Sequence, residues 1–328
     1  MSGVSPAPAL AAELTYPNGI RTIIAAAHAA AQNGRMDEAV RWFDLCRTLL
    51  TTIAPAAAVE KRITANLQGR RREAIKFQQT IMDHAASDSE TRVAIFADSL
   101  ALPRPEEMER FPENIESVYP GIITARLQAT PTLKGASVWA HCERYLTTDG
   151  VIAVLSEYPD SVRDAHVLVH VGLNDYAIRM YMDNQRLALG LLAEDLQKEI
   201  LAFSSKYRKA LIEAFPNFSF VPIQRYSTNL HKIAELTRSA NAQSLTFTTT
   251  IVVPEKFWPG TPGICRNFTT YNLEAMNVAH QVDAKILDVD RLMWGKGVAT
   301  SLNADGMHLS PVGHELLATS WLKSIFNI

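Results

Sequence analysis

The sequence predicts an α/β protein, a parallel sheet covered by helices on both faces and preceded by a small all-helical segment. From Thr91 onward short apolar runs alternate with helical stretches, which is the grammar of parallel strands joined by crossover helices. The residues before about 88 read differently, rich in Ala, Arg, Gln and Glu with almost no clustering of β-branched types. Several of the apolar runs also end abruptly in polar residues, as strands do when a site lies beyond the carboxyl edge of such a sheet.

The helical segment holds a weak internal repeat. "AAAQNGRMDEAVRWFDL" and "ITANLQGRRREAIKFQQ" match at an offset of 35, pairing Ala30 with Ala65, Gly34 with Gly69, Glu38 with Glu73, Ala39 with Ala74 and Trp42 with Phe77. A Gly-Arg turn between amphipathic helices with small residues at their crossing resembles a tetratricopeptide repeat. The expected organisation is therefore residues 1–88 as helical hairpins and 89–328 as the α/β domain. The hairpins read as a helical cap on that domain or as a groove for a protein partner.

In the α/β region the expected strands are Val93–Phe96, Gly121–Leu127, His166–Val171, Ser219–Ile223, Leu245–Val253 and Ala284–Val289. Helices are expected at Ala136–Leu146, Gln185–Ala214, Leu230–Ala240, Thr270–Val282 and Pro311–Phe326.

The bulk numbers narrow the partners. The 328 residues are 47% hydrophobic and 20% charged with a formal net charge of −2, the balance of a soluble globular protein. No basic stripe interleaved with aromatics points to nucleic acid. Cys46, Cys142 and Cys265 form no CxxC pair, so neither a zinc site nor a disulfide framework is indicated. The first residues lack a charged stretch followed by an apolar run, and no window reaches the roughly 20 apolar residues of a membrane helix. The expected compartment is the cytoplasm.

Three clusters hold the chemistry. "RVAIFADSL" ends a core strand in Asp98 and Ser99, which reads as a helix cap or as an exposed nucleophile. "HVLVHVGLNDY" ends in Gly172, Asn174 and Asp175, which alone would suit a turn. "NADGMHLSPVGHELLA" sets Asp305 and His308 three apart just before a helix starting near Pro311. "FADSL", "VGLND" and "DGMHLSPVGHELLA" resemble blocks I, III and V of the SGNH (GDSL-type) hydrolase superfamily, in the family's order and over about residues 91–328. In block I, Ala97 stands where the family has glycine.

That resemblance implies a three-layer α/β/α, flavodoxin-like fold and a serine hydrolase with no cofactor and no metal. It assigns Ser99 as nucleophile, His308 as base and Asp305 as the group orienting the imidazole. A serine hydroxyl needs such a base, and the base such an orienting carboxylate. Histidine's reference pKa of about 6.5 suits the task at neutral pH. The oxyanion would be held by the Ser99 amide, the Asn174 side chain and the amide of Gly135, the glycine that "TLKGASVWAHCERYL" offers for block II.

Other residues take supporting readings. Asp98 is expected to cap the turn and Asp175 to support its neighbour. His166 and His170 share a strand face and are expected to be buried, and His314 to pack along the last helix, six residues being no ligand spacing from His308. In "PEKFWPGTPGICRNF", Phe257 and Trp258 serve either as a substrate wall or as a plug. The functional expectation is an esterase working through an acyl-enzyme on a small-molecule or glycan ester, removing a small acyl group from a carbohydrate-type substrate. An O-acyltransferase and a protein-docking module are the alternatives.

Overall fold

The computed structural model describes residues 18–53, 56–82, 91–103, 117–216 and 218–328, so most of the stretch weighed above as a leader lies outside the described residues. In chain order come α1 (Asn18–Gln32), α2 (Met36–Ile53), α3 (Ala56–Met82), β1 (Arg92–Ala97), α4 (Tyr119–Ala129), β2 (Ser137–Cys142), α5 (Thr148–Glu157) and β3 (Ala165–His170). They continue with α6 (Asp183–Leu189), α7 (Glu194–Lys206), α8 (Arg208–Ala214), α9 (Ile223–Ser239), β4 (Ser244–Thr248), α10 (Ile264–Gln281), β5 (Lys285–Leu287), α11 (Val289–Lys296) and α12 (Pro311–Phe326). These residues fall into two compact units.

The first unit comprises the described residues up to Gln68 with Ile178–Phe220 and Trp258–Pro262. In α1 the spacing of Ile20, Ile23, Ile24 and Ala27 builds one apolar face. That face is buried with Phe43, Cys46 and Leu50 of α2 and with Leu196, Ile200 and Phe203 of α7. The α1–α2 hairpin turns at Gly34, where the Arg35 amide reaches back to the Ala30 carbonyl at 2.9 Å. Its expected second copy does not form. Gly69 lies inside the 27-residue helix α3, because the flanking Gln68 and Arg70–Arg72 are good helix formers and one interior glycine costs only about 1 kcal/mol. The single helix expected over Gln185–Ala214 is three, interrupted at Gly190 and again at Tyr207. These inserted helices complete the helical core, which the N-terminal residues do not build alone.

The second unit carries one five-stranded sheet in the order β2-β1-β3-β4-β5, with every pairing parallel. Right-handed crossovers in this order send the helix after β1 to one face and those after β2, β3 and β4 to the other. Accordingly α4 packs with α12, while α5 packs with α9 and α9 with α10. Val93 to Ala97 of β1, an interior strand, are all buried. At the free edge of β2, the Gln78 side chain of α3 accepts the Ala140 amide, so a helix covers the exposed ladder.

Two sequence assignments change places. Residues expected as a strand at Gly121–Leu127 form α4, started by Pro120 and burying Tyr119, Ile123 and Leu127 at four-residue spacing. Residues expected as a helix at Ala136–Leu146 contain β2, whose Val138, Ala140 and Cys142 are all buried in alternation. The β-branched run in α4 and the Ala, His and Cys of β2 mask their periods. Ser219–Ile223 is no strand; it leads into α9. β4 ends at Thr248, short of the expected Val253.

Candidate active site

Strand order reverses between β1 and β3, and the ends of both strands meet there. Ala97 pairs with His170 on one side and Cys142 on the other, so the residues following all three strands share one sheet edge. Ser99 opens a short 3-10 turn, Ser99–Ala101, capped by the fully buried Asp98, whose Oδ1 accepts the Leu100 amide at 2.9 Å. Asp98 thus performs the expected capping, and the cap fixes the turn that presents Ser99. Among the described residues nothing accepts from the Ser99 amide, a free donor in the turn's first position.

The loop before α12 brings Asp305 and His308 to the same place. A bridge between Leu302 and Leu309 closes it, with the Asn303 amide donating to the His308 carbonyl at 2.8 Å and the Asn303 side chain to the Leu309 carbonyl at 3.1 Å. Inside it Asp305 Oδ1 accepts the amides of Met307 and His308, each at 3.1 Å. Gly306 has a φ of 67°, and the ring of Phe257 lies where a Cβ would project, at 2.8 Å. The loop is therefore both turned and braced at this glycine.

The result is a continuous chain. His308 Nδ1 lies 2.6 Å from Asp305 Oδ2, and His308 Nε2 lies 3.3 Å from Ser99 Oγ. With Nδ1–H donated to the carboxylate, Nε2 is left to accept from the serine hydroxyl. Both side chains are about one quarter exposed, His308 by 25% and Asp305 by 28%. Partial burial pushes the Asp305 carboxyl upward, but the His308 ring and the two loop amides outweigh it and hold it well below the usual carboxylate range.

Asn174 follows β3 in a one-turn helix after Gly172 and is buried. Its Nδ2 donates to Asp98 Oδ2 at 3.2 Å and, at the limit of 3.5 Å, to the Leu146 carbonyl. Gly135 is not brought to this site. It precedes β2 rather than following it, its amide donates to Gln128 Oε1 at 3.2 Å, and β2 runs parallel to β1, so Gly135 sits at the opposite sheet edge from Ser99. The loop actually following β2 turns at Tyr145, which takes a left-handed φ of 65°.

Asp175 stands one residue further and is fully buried. It accepts the amide and hydroxyl of Thr148 at the start of α5, and Asn229 donates to that hydroxyl at 2.9 Å. Burial, against the bonds from Thr148, raises its pKa from 3.8 to about 7. Between those values the folded protein keeps a proton that the unfolded chain has released. This group's stabilisation is therefore complete below about pH 4 and lost as pH rises to about 7. Asp175→Asn is expected to flatten the fall in thermal midpoint over that window; an unchanged pH dependence would contradict this.

Behind His308 lie buried rings that the sequence did not mark for the site. His314 of α12 is buried, and its Nδ1 accepts the Tyr119 amide at 3.3 Å. The Tyr119 hydroxyl lies 3.1 Å from Nδ1 of the fully buried His170. Burial lowers His170 to about 4 and, with the charges of His170 and His308, His314 to about 3. His166 is half-buried against Ser244 at 2.9 Å. Among the described residues no three His, Cys, Asp or Glu gather to hold a metal, and no helix is long and apolar enough to cross a membrane. Phe257 meets Gly306 of the acid-base loop, and Trp258 counts with the first unit.

No protein-family model matches the chain, and no curated protein does. Among solved structures it is similar to an acetylxylan esterase from Geobacillus stearothermophilus, at 17% identity and a TM-score of 0.49, covering 75% of this chain and 97% of that one. An α/β hydrolase from the metagenome of Lake Arreo, Spain, is similar at 16% identity and a TM-score of 0.47, over 74% of this chain and 97% of that one. A lipolytic protein of the G-D-S-L family from Veillonella parvula DSM 2008 is similar at 12% identity and a TM-score of 0.45, over 72% and 98%. The likeness to the SGNH-type hydrolases is that of the sequence blocks I, III and V, and all three clusters lie in the α/β unit.

Proposed function

We propose that the chain is a serine esterase that removes a small acyl group from a carbohydrate-type alcohol through an acyl-enzyme on Ser99. The observation carrying this reading is the hydrogen-bonded chain from Asp305 through His308 to Ser99. Ser99 Oγ attacks the ester carbonyl while its proton passes to His308 Nε2, and the Asp305 carboxylate stabilises the imidazolium. The carbonyl oxygen, now an oxyanion, accepts from the Ser99 amide and from the Asn174 side chain, whose long contact to Leu146 is the one it gives up. The tetrahedral adduct collapses, the bond to the alcohol oxygen breaks, and His308 returns its proton to that oxygen. Water, deprotonated by His308, then releases the acid.

Asn174→Ala removes one oxyanion donor and is expected to lower kcat by roughly 10²- to 10³-fold, less than loss of the nucleophile. A loss under threefold would remove Asn174 from the reaction. The reading as a whole is tested with p-nitrophenyl acetate, butyrate and octanoate. A pre-steady-state burst is expected, with acetate the best substrate. Absence of turnover on every chain length would contradict an esterase, and a preference for octanoate would contradict the small acyl group.

A further inference from the structure

A cavity of about 100 Å³ opens on the flank of His308, walled by Leu100, Leu102, Val118 and Leu309 and reaching His314. An engineered apolar cavity of about 150 Å³ takes benzene, so this one accepts a fragment of three or four carbons. Its walls mix these apolar side chains with polar ones, Ser117, Asn303, His308 and His314, and His314 is held in a fixed tautomer. The Tyr119 amide donates to Nδ1, so the neutral ring must carry its proton on Nε2. Among the described residues no hydrogen bond from that N–H is formed, and His314 is one of the residues lining the cavity. A ligand oxygen in the cavity would accept that proton.

The position says which half of an ester brings that oxygen. His308 must reach the leaving alcohol oxygen to protonate it, whereas the oxyanion lies toward Asn174, which does not line the cavity. We propose that the cavity is a subsite for the alcohol half of the ester and that His314 Nε2–H donates to a second oxygen on that alcohol, selecting polyol esters over simple alkyl esters. This rests on the esterase reading of Ser99.

The test compares kcat/KM for glyceryl monoacetate and ethyl acetate, which share an acyl group and differ in the second oxygen. The wild type is expected to favour the glyceryl ester about tenfold, the scale of one hydrogen bond. His314→Asn keeps an acceptor for Tyr119 but lacks the Nε2 donor, so its ratio should fall toward one. His314→Gln, with a donor near the Nε2 position, should recover part of the preference. A wild-type ratio near one, or one unchanged in His314→Asn, overturns the proposal, and the ratio cancels any general damage to the site.

A second readout does not depend on turnover or on a folded variant. In ¹⁵N spectra of the wild-type imidazoles, the His314 Nε2–H signal is expected to move with glycerol and stay with propan-1-ol. No selective movement refutes the subsite. Should Ser99→Ala hydrolyse both esters as fast as the wild type, the esterase reading falls while the glycerol response still judges the cavity.

Discussion

Ser99→Ala is expected to lower kcat for p-nitrophenyl acetate by roughly 10⁴- to 10⁶-fold and to abolish the burst. The size follows from the geometry. Ser99 Oγ is the hydroxyl within reach of His308 Nε2, at 3.3 Å, and the turn holding it is fixed by the buried Asp98 cap, which does not depend on the hydroxyl. The variant should therefore keep its thermal midpoint while losing its chemistry. Residual turnover within tenfold of wild type would show that another group attacks the ester.

Asp305→Asn is expected to cost roughly 10⁴-fold in kcat with little change in KM. Oδ1 is occupied by the amides of Met307 and His308, so an asparagine would keep its oxygen there and turn its NH₂ toward His308 Nδ1. Nδ1 would then accept, the ring proton would move to Nε2, and the face toward Ser99 would become a donor unable to take the serine proton. Steady-state kinetics with the thermal midpoint measured in parallel check this. A loss below tenfold would mean that the loop alone orients the ring.

What the sequence revealed depended on whether a signal was local. The Asp305–His308 pair lies within one loop, and "FADSL" follows a strand of unbroken apolar residues, so both were readable where they stand. Gly135 is expected after a strand but precedes one, because the helix-like Ala and His of "SVWAHC" hide the alternation of β2. The β-branched residues of α4 caused the mirror error. The second Gly-Arg pair looked like a turn because the repeat suggested one, while α3 shows that a lone glycine among helix formers does not break a helix. The role of His314 had no sequence signal, because it depends on which ring nitrogen Tyr119 occupies, a contact 195 residues apart.

The most direct measurement is to quench the wild-type protein during the p-nitrophenyl acetate burst and locate the acyl group by peptide mass spectrometry. One acetyl group per chain is expected on the peptide carrying Ser99, and none there in Ser99→Ala. A burst with the acetyl on another residue, or a burst that survives Ser99→Ala unchanged, would contradict it.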